Sequence, residues 1–198
     1  MPFFKQRDPT VPAGQTVTDG FPILHVGDVP AFDPVTWRLR FFGLCDNPYE
    51  LTWDDLRAQP ATEWNGDIHC VTRWSKKDTH WKGVSFKSLI ERAKPRAGVT
   101  HVVQHAANEY TTNLPLAVTL DESCMVVYEF DGKPIEPIHG GPVRMFVPKR
   151  YFWKSAKWLT GIEFLEGDRP GFWEVRGYHN DGDPWKEERY GDMPAWMA

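Results

Sequence analysis

Cysteine is scarce: Cys45, Cys70 and Cys124 are too few and too widely spaced for a disulfide framework or a four-ligand zinc site, and no CxxC pair occurs. Positive charge is in deficit as well, with 23 basic against 27 acidic side chains and a formal net charge of -4. That balance offers no overall field for a polyanion and excludes a general nucleic-acid binder. No apolar run approaches the roughly 18 residues a membrane helix needs, so no membrane span is expected. The opening residues Met1 to Asp8 carry no basic stretch followed by an apolar one, and no twin-arginine export signal. These absences make the reducing cytoplasm the simplest expected location. Internal repeats and low-complexity tracts are also lacking.

Aromatic and turn-forming residues are abundant. Ten tryptophans and twelve phenylalanines beside 17 prolines and 16 glycines describe a folded chain with many turns and long loops. The length of 198 residues suits a single domain over 1–198, with an extended arm over 1–34 and a C-terminal tail over 166–198 packed on the domain. Thr36 to Phe42 alternates as a strand, Gly43 to Pro48 makes a turn, and Thr52 to Asp55 supplies a capping box for a short helix bounded by Pro60. Asp67 to Thr72 reads as a strand leading into a polar loop from Arg73 to Gly83. Ser85 caps a helix whose Phe86, Leu89 and Ile90 share one face, and Pro95 ends it. Further strands are expected at Thr100 to Ala106, Cys124 to Phe130, Pro142 to Val147 and Ile162 to Leu165, with a hairpin turn at Asp131-Gly132. The expected fold class is α+β, mixed and β-rich, with few short helices.

Three segments could carry chemistry. A thiolate at Cys70 would be a soft metal ligand and a nucleophile, and Arg73, Lys76 and Lys77 nearby would lower its pKa. Taken alone, a single cysteine is more often a small buried hydrophobe, the reading that Cys45 and Cys124 receive. In His139-Gly140-Gly141-Pro142-Val143-Arg144, paired glycines let a ligand approach the backbone while histidine and arginine flank it as donors for an anion. A tight turn between strands is the plain alternative. Lys149 to Trp158 interleaves four cations with four aromatics, which suits a phosphate or a pterin, or else solvated lysines over a core-facing stripe.

In this order, the three segments resemble the molybdopterin-binding domain of the sulfite oxidase superfamily. Ile68 to Ser75 is similar to the strand end where the smaller bacterial members carry their molybdenum-ligating cysteine, so the resemblance makes Cys70 the metal's protein ligand. His139 to Arg144 resembles the family's pterin-phosphate loop at every position. Pro148 to Trp158 looks like the turn that follows it, which gives Ser155 and Lys157 a cofactor-binding role. Tyr110 to Leu116 is similar to the family's stretch ahead of a Pro-Leu pair and adds Tyr110 and Thr111. The arm from Phe21 to His25 resembles the N-terminal pterin contact loosely and adds His25. The likeness runs from about Val35 to Leu165. Animal and plant sulfite oxidases carry an asparagine and two arginines just after the cysteine, whereas only Arg73, followed by Trp74, stands here. With no heme or immunoglobulin-like domain in the sequence, a stand-alone cytoplasmic core is expected.

The resemblance implies molybdenum with molybdopterin as cofactor, held by the Cys70 thiolate and one pterin dithiolene. It further implies oxygen-atom transfer on a small oxyanion or an S- or N-oxide, and a separate electron-transfer partner. His139, Arg144 and Lys157 would anchor the phosphate, Arg144 through two parallel hydrogen bonds of its planar fork. Arg73 is assigned beside Cys70 as the cation that attracts an oxyanion, the alternative being an ordinary ion pair. Two rival readings are a hydrolase or transferase using Cys70 as nucleophile with His69, His101 or His105 as base, and a non-catalytic tryptophan platform for sugars. Of these histidines His69 is disfavoured, because strand neighbours point to opposite faces. Trp37, Trp53, Trp64 and Trp173 are read as core residues or pins for the arms.

Overall fold

The computed structural model describes residues 8–191, which form two packed β-sheets and three short helices. In the arm, Thr16–Val17 forms β1, and β2 (Arg38–Gly43), β3 (Tyr49–Thr52) and helix α1 (Trp53–Arg57) follow. β4 (Ala61–His69) and β5 (Trp74–Ser85) make a long antiparallel pair that leads into α2 (Phe86–Ala93). Next come β6 (His101–Ala106), β7 (Thr111–Pro115) and α3 (Leu116–Thr119). The chain closes through β8 (Met125–Phe130), β9 (Lys133–Pro134), β10 (Arg144–Phe146) and β11 (Leu159–Leu165).

The helices form where their caps place them. The Thr52 hydroxyl accepts from the Asp55 N–H at 3.1 Å, and the Asp55 carboxylate accepts from the Thr52 N–H at 3.0 Å, a reciprocal box at the start of α1. The Ser85 hydroxyl accepts from the Ser88 N–H to open α2, and Lys94 at φ 54° ends it ahead of Pro95. Asp131 and Gly132, at φ 47° and 74°, turn β8 into β9 as a two-residue hairpin requires.

One expectation is corrected. The segment from Arg73 to Gly83, read as a polar loop, is mostly β5, a central strand flanked by β1, β4 and β8. Its inward positions include Ser75, Thr79 and Trp81, all fully buried, so two hydroxyl residues hide the apolar alternation that would mark a strand. Internal bonds offset the burial of those hydroxyls: Thr79 donates to the Gly66 carbonyl at 2.6 Å, and Trp81 Nε1 donates to Thr79 Oγ1 at 2.9 Å. β3 and β7, also not anticipated as strands, are the edges of the second sheet.

The first sheet runs β1-β5-β8-β10, with β4 on β5 and β9 on β8. The second runs β3-β2-β11-β6-β7, with β2 and β11 parallel and the other pairs antiparallel. β8 shows how the core is divided. Val126 and Tyr128 face the main core shared with the second sheet and α2, while Met125 and Val127 face a second cluster built on Trp81, Phe146 and Phe152. Each large apolar side chain so buried contributes about 1.5–3 kcal/mol. Cys45 and Cys124, 3% and 2% exposed, belong to the main core as expected. Among the described residues no helix is long and apolar enough to cross a membrane.

Candidate functional site

Strand ends and the turns between them enclose a cavity of about 330 Å³. Cys70 lies directly after β4, Tyr110 just before β7, Arg144 at the first position of β10, and Ser155 and Lys157 in the turn leading to β11. All five line this cavity, and His25 joins them from the arm. Residues far apart in sequence therefore converge on one space.

Arg144 is 1% exposed, and no carboxylate pairs with it among the described residues. Its Nη1 donates to the His139 carbonyl at 2.7 Å and its Nη2 to the Ser155 carbonyl at 2.9 Å, while the guanidinium lies 4.0 Å from the centre of the Phe152 ring. The fork is thus already engaged with the backbone, which corrects the expectation that both its arms are open for a phosphate. Burial pushes the Arg144 pKa down to about 9. Lys157 donates to the Ile138 carbonyl at 2.8 Å, and burial, followed by repulsion from Arg144, brings its pKa to about 7. Gly140 makes this proximity possible: at φ 104° it sits where a Cβ would strike the Lys157 side chain, 2.8 Å away. Ser155 contributes its carbonyl to Arg144 and its hydroxyl to the Val147 N–H at 2.9 Å.

The thiol of Cys70, 8% exposed, lies 3.1 Å from the Thr72 hydroxyl. Burial raises its pKa, and this outweighs the lowering by Thr72 and by Arg189. The expected lowering by Arg73, Lys76 and Lys77 is therefore corrected, since the cation that acts on the thiol comes from the tail. Around Cys70 the wall is aromatic: Trp74, Trp153, Trp173 and Tyr178. Glu174 holds part of it in place, its Oε1 accepting from Trp153 Nε1 at 2.9 Å, from Thr112 at 2.8 Å and from the fully buried Lys154 at 2.6 Å.

Three candidates lie outside the cavity wall. Arg73 is exposed at φ 72° and its guanidinium reaches over Gly14 of the arm, close enough that a Cβ there would meet Nη1 at 2.8 Å. Thr111 gives its carbonyl to the Phe172 N–H at 2.8 Å, pinning the tail. His139 stands behind Arg144, stacked on Phe21 with ring centres 4.1 Å apart, and its Nδ1 is buried without a partner. The histidines named for the rival nucleophile reading do not line the cavity: His69 is bonded to Ser75 at 2.8 Å, and His101 and His105 face Asp168 and Glu163. Trp37, Trp53 and Trp64 pack on the cores as expected, whereas Trp173 lines the cavity. Sequence reasoning passed over Tyr178, Asn108 and Arg189, and held Trp153 only as one aromatic of the Lys149 to Trp158 segment. An aromatic or arginine in a proline-rich tail carries no local mark of the space it will face.

The model of the oxidoreductase molybdopterin binding domain matches residues 26–173. The chain belongs to this family. The uncharacterized oxidoreductase YuiH of Bacillus subtilis is 46% identical over 181 residues, 91% of each chain. The putative protein-methionine-sulfoxide reductase subunit YedZ1 of Azospira oryzae is 25% identical over 166 residues, 82% of this chain and 63% of that one. The sulfane dehydrogenase SoxCD from Paracoccus pantotrophus shares the fold, with a TM-score of 0.64 at 18% identity over 70% of this chain and 40% of that one. The protein is a molybdopterin-dependent oxidoreductase with a sulfite oxidase-like fold.

The molybdopterin class fits this cavity. The buried Arg144 and the half-buried Lys157, with no carboxylate in the wall, suit an anionic end, and the orphaned Trp74 Nε1 on that wall is a polar atom that a guest could satisfy. No group of three metal-binding side chains occurs among the described residues. A metal resident here must therefore bring most of its ligands with it, as a pterin dithiolene does.

Proposed function

We propose that Cys70 supplies the protein's thiolate to molybdenum, and that the enzyme transfers an oxygen atom to or from a small, neutral S- or N-oxide. The observation that carries this reading is the joint placement of the Cys70 thiol, the buried Arg144 and the half-buried Lys157 on the wall of one cavity that holds no carboxylate. When bound, the molybdenum–pterin group supplies the two-electron redox chemistry. Arg144 and Lys157 hold the phosphate end, with the Arg144 N–H groups not committed to carbonyls and the Lys157 ammonium as donors. His25 and Tyr110 flank the group, Tyr110 fixed by its bond to the Trp153 carbonyl at 2.7 Å. The side chains packed around Cys70 in the wall are mainly aromatic, Trp74, Trp153, Trp173 and Tyr178.

That last feature separates the substrate classes. With Arg73 turned onto the arm, and with Arg144 and Lys157, the arginine and lysine of the wall, given to the phosphate, no further arginine or lysine of the wall is left for sulfite or nitrate, whereas a neutral oxide meets the rings of Trp74, Trp153, Trp173 and Tyr178. Reduction of such an oxide consumes two electrons and two protons and releases water, so a separate electron carrier completes the cycle. All three cysteines are free thiols, in keeping with the reducing cytoplasm as the proposed location. The test is elemental analysis of purified protein, expected at one molybdenum per chain, followed by steady-state kinetics on a panel of sulfoxides and amine N-oxides beside sulfite and nitrate. Neutral oxides are expected to lead in kcat/KM; an oxyanion at the head of the panel overturns the substrate assignment.

A further inference from the structure

The turn that carries Cys70 is held by residues that lie outside the family-matched segment 26–173. From the arm, Gln15 Nε2 donates to the Cys70 carbonyl at 3.0 Å, and the Thr16 N–H donates to the Arg73 carbonyl at 2.9 Å. From the tail, Arg189 donates through Nη1 to the Val71 carbonyl at 2.7 Å and through Nη2 to the Ala13 carbonyl at 3.0 Å. Arg189 is 5% exposed and rests 4.9 Å from the centre of the Tyr151 ring. One guanidinium thus ties tail, arm and Cys70 turn together.

The turn needs such support. It closes on itself through two backbone bonds, from the Arg73 N–H to the Cys70 carbonyl at 3.1 Å and from the Cys70 N–H to the Trp74 carbonyl at 2.9 Å, yet Arg73 occupies the left-handed region at φ 72° without being glycine. A conformation of that kind persists only where the surroundings over-determine it. We propose that Gln15 and Arg189 are positioning residues for Cys70, fixing two successive carbonyls so that the thiol meets the cofactor in one geometry. The proposal rests on Cys70 being the metal's ligand. Arginine suits the task because its planar fork spans two acceptors, which a lysine ammonium on a flexible stem does not do in a fixed geometry.

The test compares cofactor-loaded wild type with Arg189→Met, Arg189→Lys, Gln15→Leu and Cys70→Ser, reading the sulfur-to-metal absorption bands. A second readout is the rate at which iodoacetamide alkylates Cys70 in cofactor-free protein, located by peptide mass. Shifted or broadened bands are expected in Arg189→Met and Gln15→Leu, with alkylation faster by about tenfold in Gln15→Leu, where a bond to the turn is lost and no cation is removed. Arg189→Lys should fall between wild type and Arg189→Met. Should Arg189→Met fail to fold, Gln15→Leu decides, because Gln15 lies on the arm and outside the packed clusters. Bands lost in Cys70→Ser but unchanged, with unchanged alkylation, in both positioning variants overturn this proposal alone. Bands unchanged in Cys70→Ser overturn the ligand reading beneath it as well.

Discussion

The cavity wall has two unlike parts, and they are assembled in different ways. At one, Arg144 and Lys157 come from a continuous stretch of chain, 139–157, that folds back on itself through the bonds from Arg144 to the His139 and Ser155 carbonyls. At the other, Cys70 is surrounded by rings and carbonyl bonds drawn from the arm, the 151–153 turn and the tail. The first is a local motif; the second is a product of tertiary packing. The contrast teaches that charge for the anionic end is carried by the motif itself, while the environment of the sulfur depends on segments that pack on the domain from either terminus.

The sharpest way to break the contrast is at the sulfur. Cys70→Ser should fold with wild-type circular dichroism yet lose about a hundredfold or more in turnover, above the range for losing an outer partner of a metal ligand; turnover near wild type sinks the ligand assignment. In the other part of the wall, Arg144→Ala should lower both molybdenum content and urea stability, the latter by about 2–3 kcal/mol because buried carbonyls lose a charged donor. Wild-type metal content in that variant would remove Arg144 from the anion site.

A pH series sharpens the comparison further. Lys157, facing Arg144 and sensing Cys70, has its pKa depressed from 10.5 to about 7 in the free protein. The protonated form is the one that attracts an anion. Affinity of cofactor-free protein for inorganic phosphate should therefore be greatest below about pH 7 and fall by up to about tenfold per unit as the proton leaves. Calorimetry on Lys157→Met should show this slope flattened; an identical slope assigns the titration elsewhere. The smallest effect is expected from Arg73→Ala, whose kcat/KM should stay within about twofold of wild type because the side chain is exposed and directed to the arm. A tenfold loss would return Arg73 to the substrate's path.

Much of this was legible in the sequence, and the division follows the same line. The caps at Thr52 and Ser85 and the Asp131-Gly132 turn act through neighbours three or fewer residues away, so sequence inspection finds them. β5 was hidden because Ser75 and Thr79 are buried by bonding to Gly66 and His69 partners rather than by being apolar. Cys70, Arg144, Ser155, Lys157, Tyr110 and His25 share the cavity as grouped, while Arg73, chosen for its closeness in sequence, faces the arm. The two-residue β1 and the bonds from Gln15 to Cys70 and from Arg189 to Val71 depend on partners 55 or more residues away, and no periodicity announces them.

The way Arg144 is seated has a consequence for how variation at that position should be interpreted. Because the same guanidinium staples residue 139 to residue 155 and also carries the positive charge, the two duties cannot be inherited separately: a lysine there conserves the sign of the residue but unfastens the loop. Homologues that exchange this arginine should therefore show compensating changes at both stapled positions, and those that keep it are free to drift elsewhere around the loop.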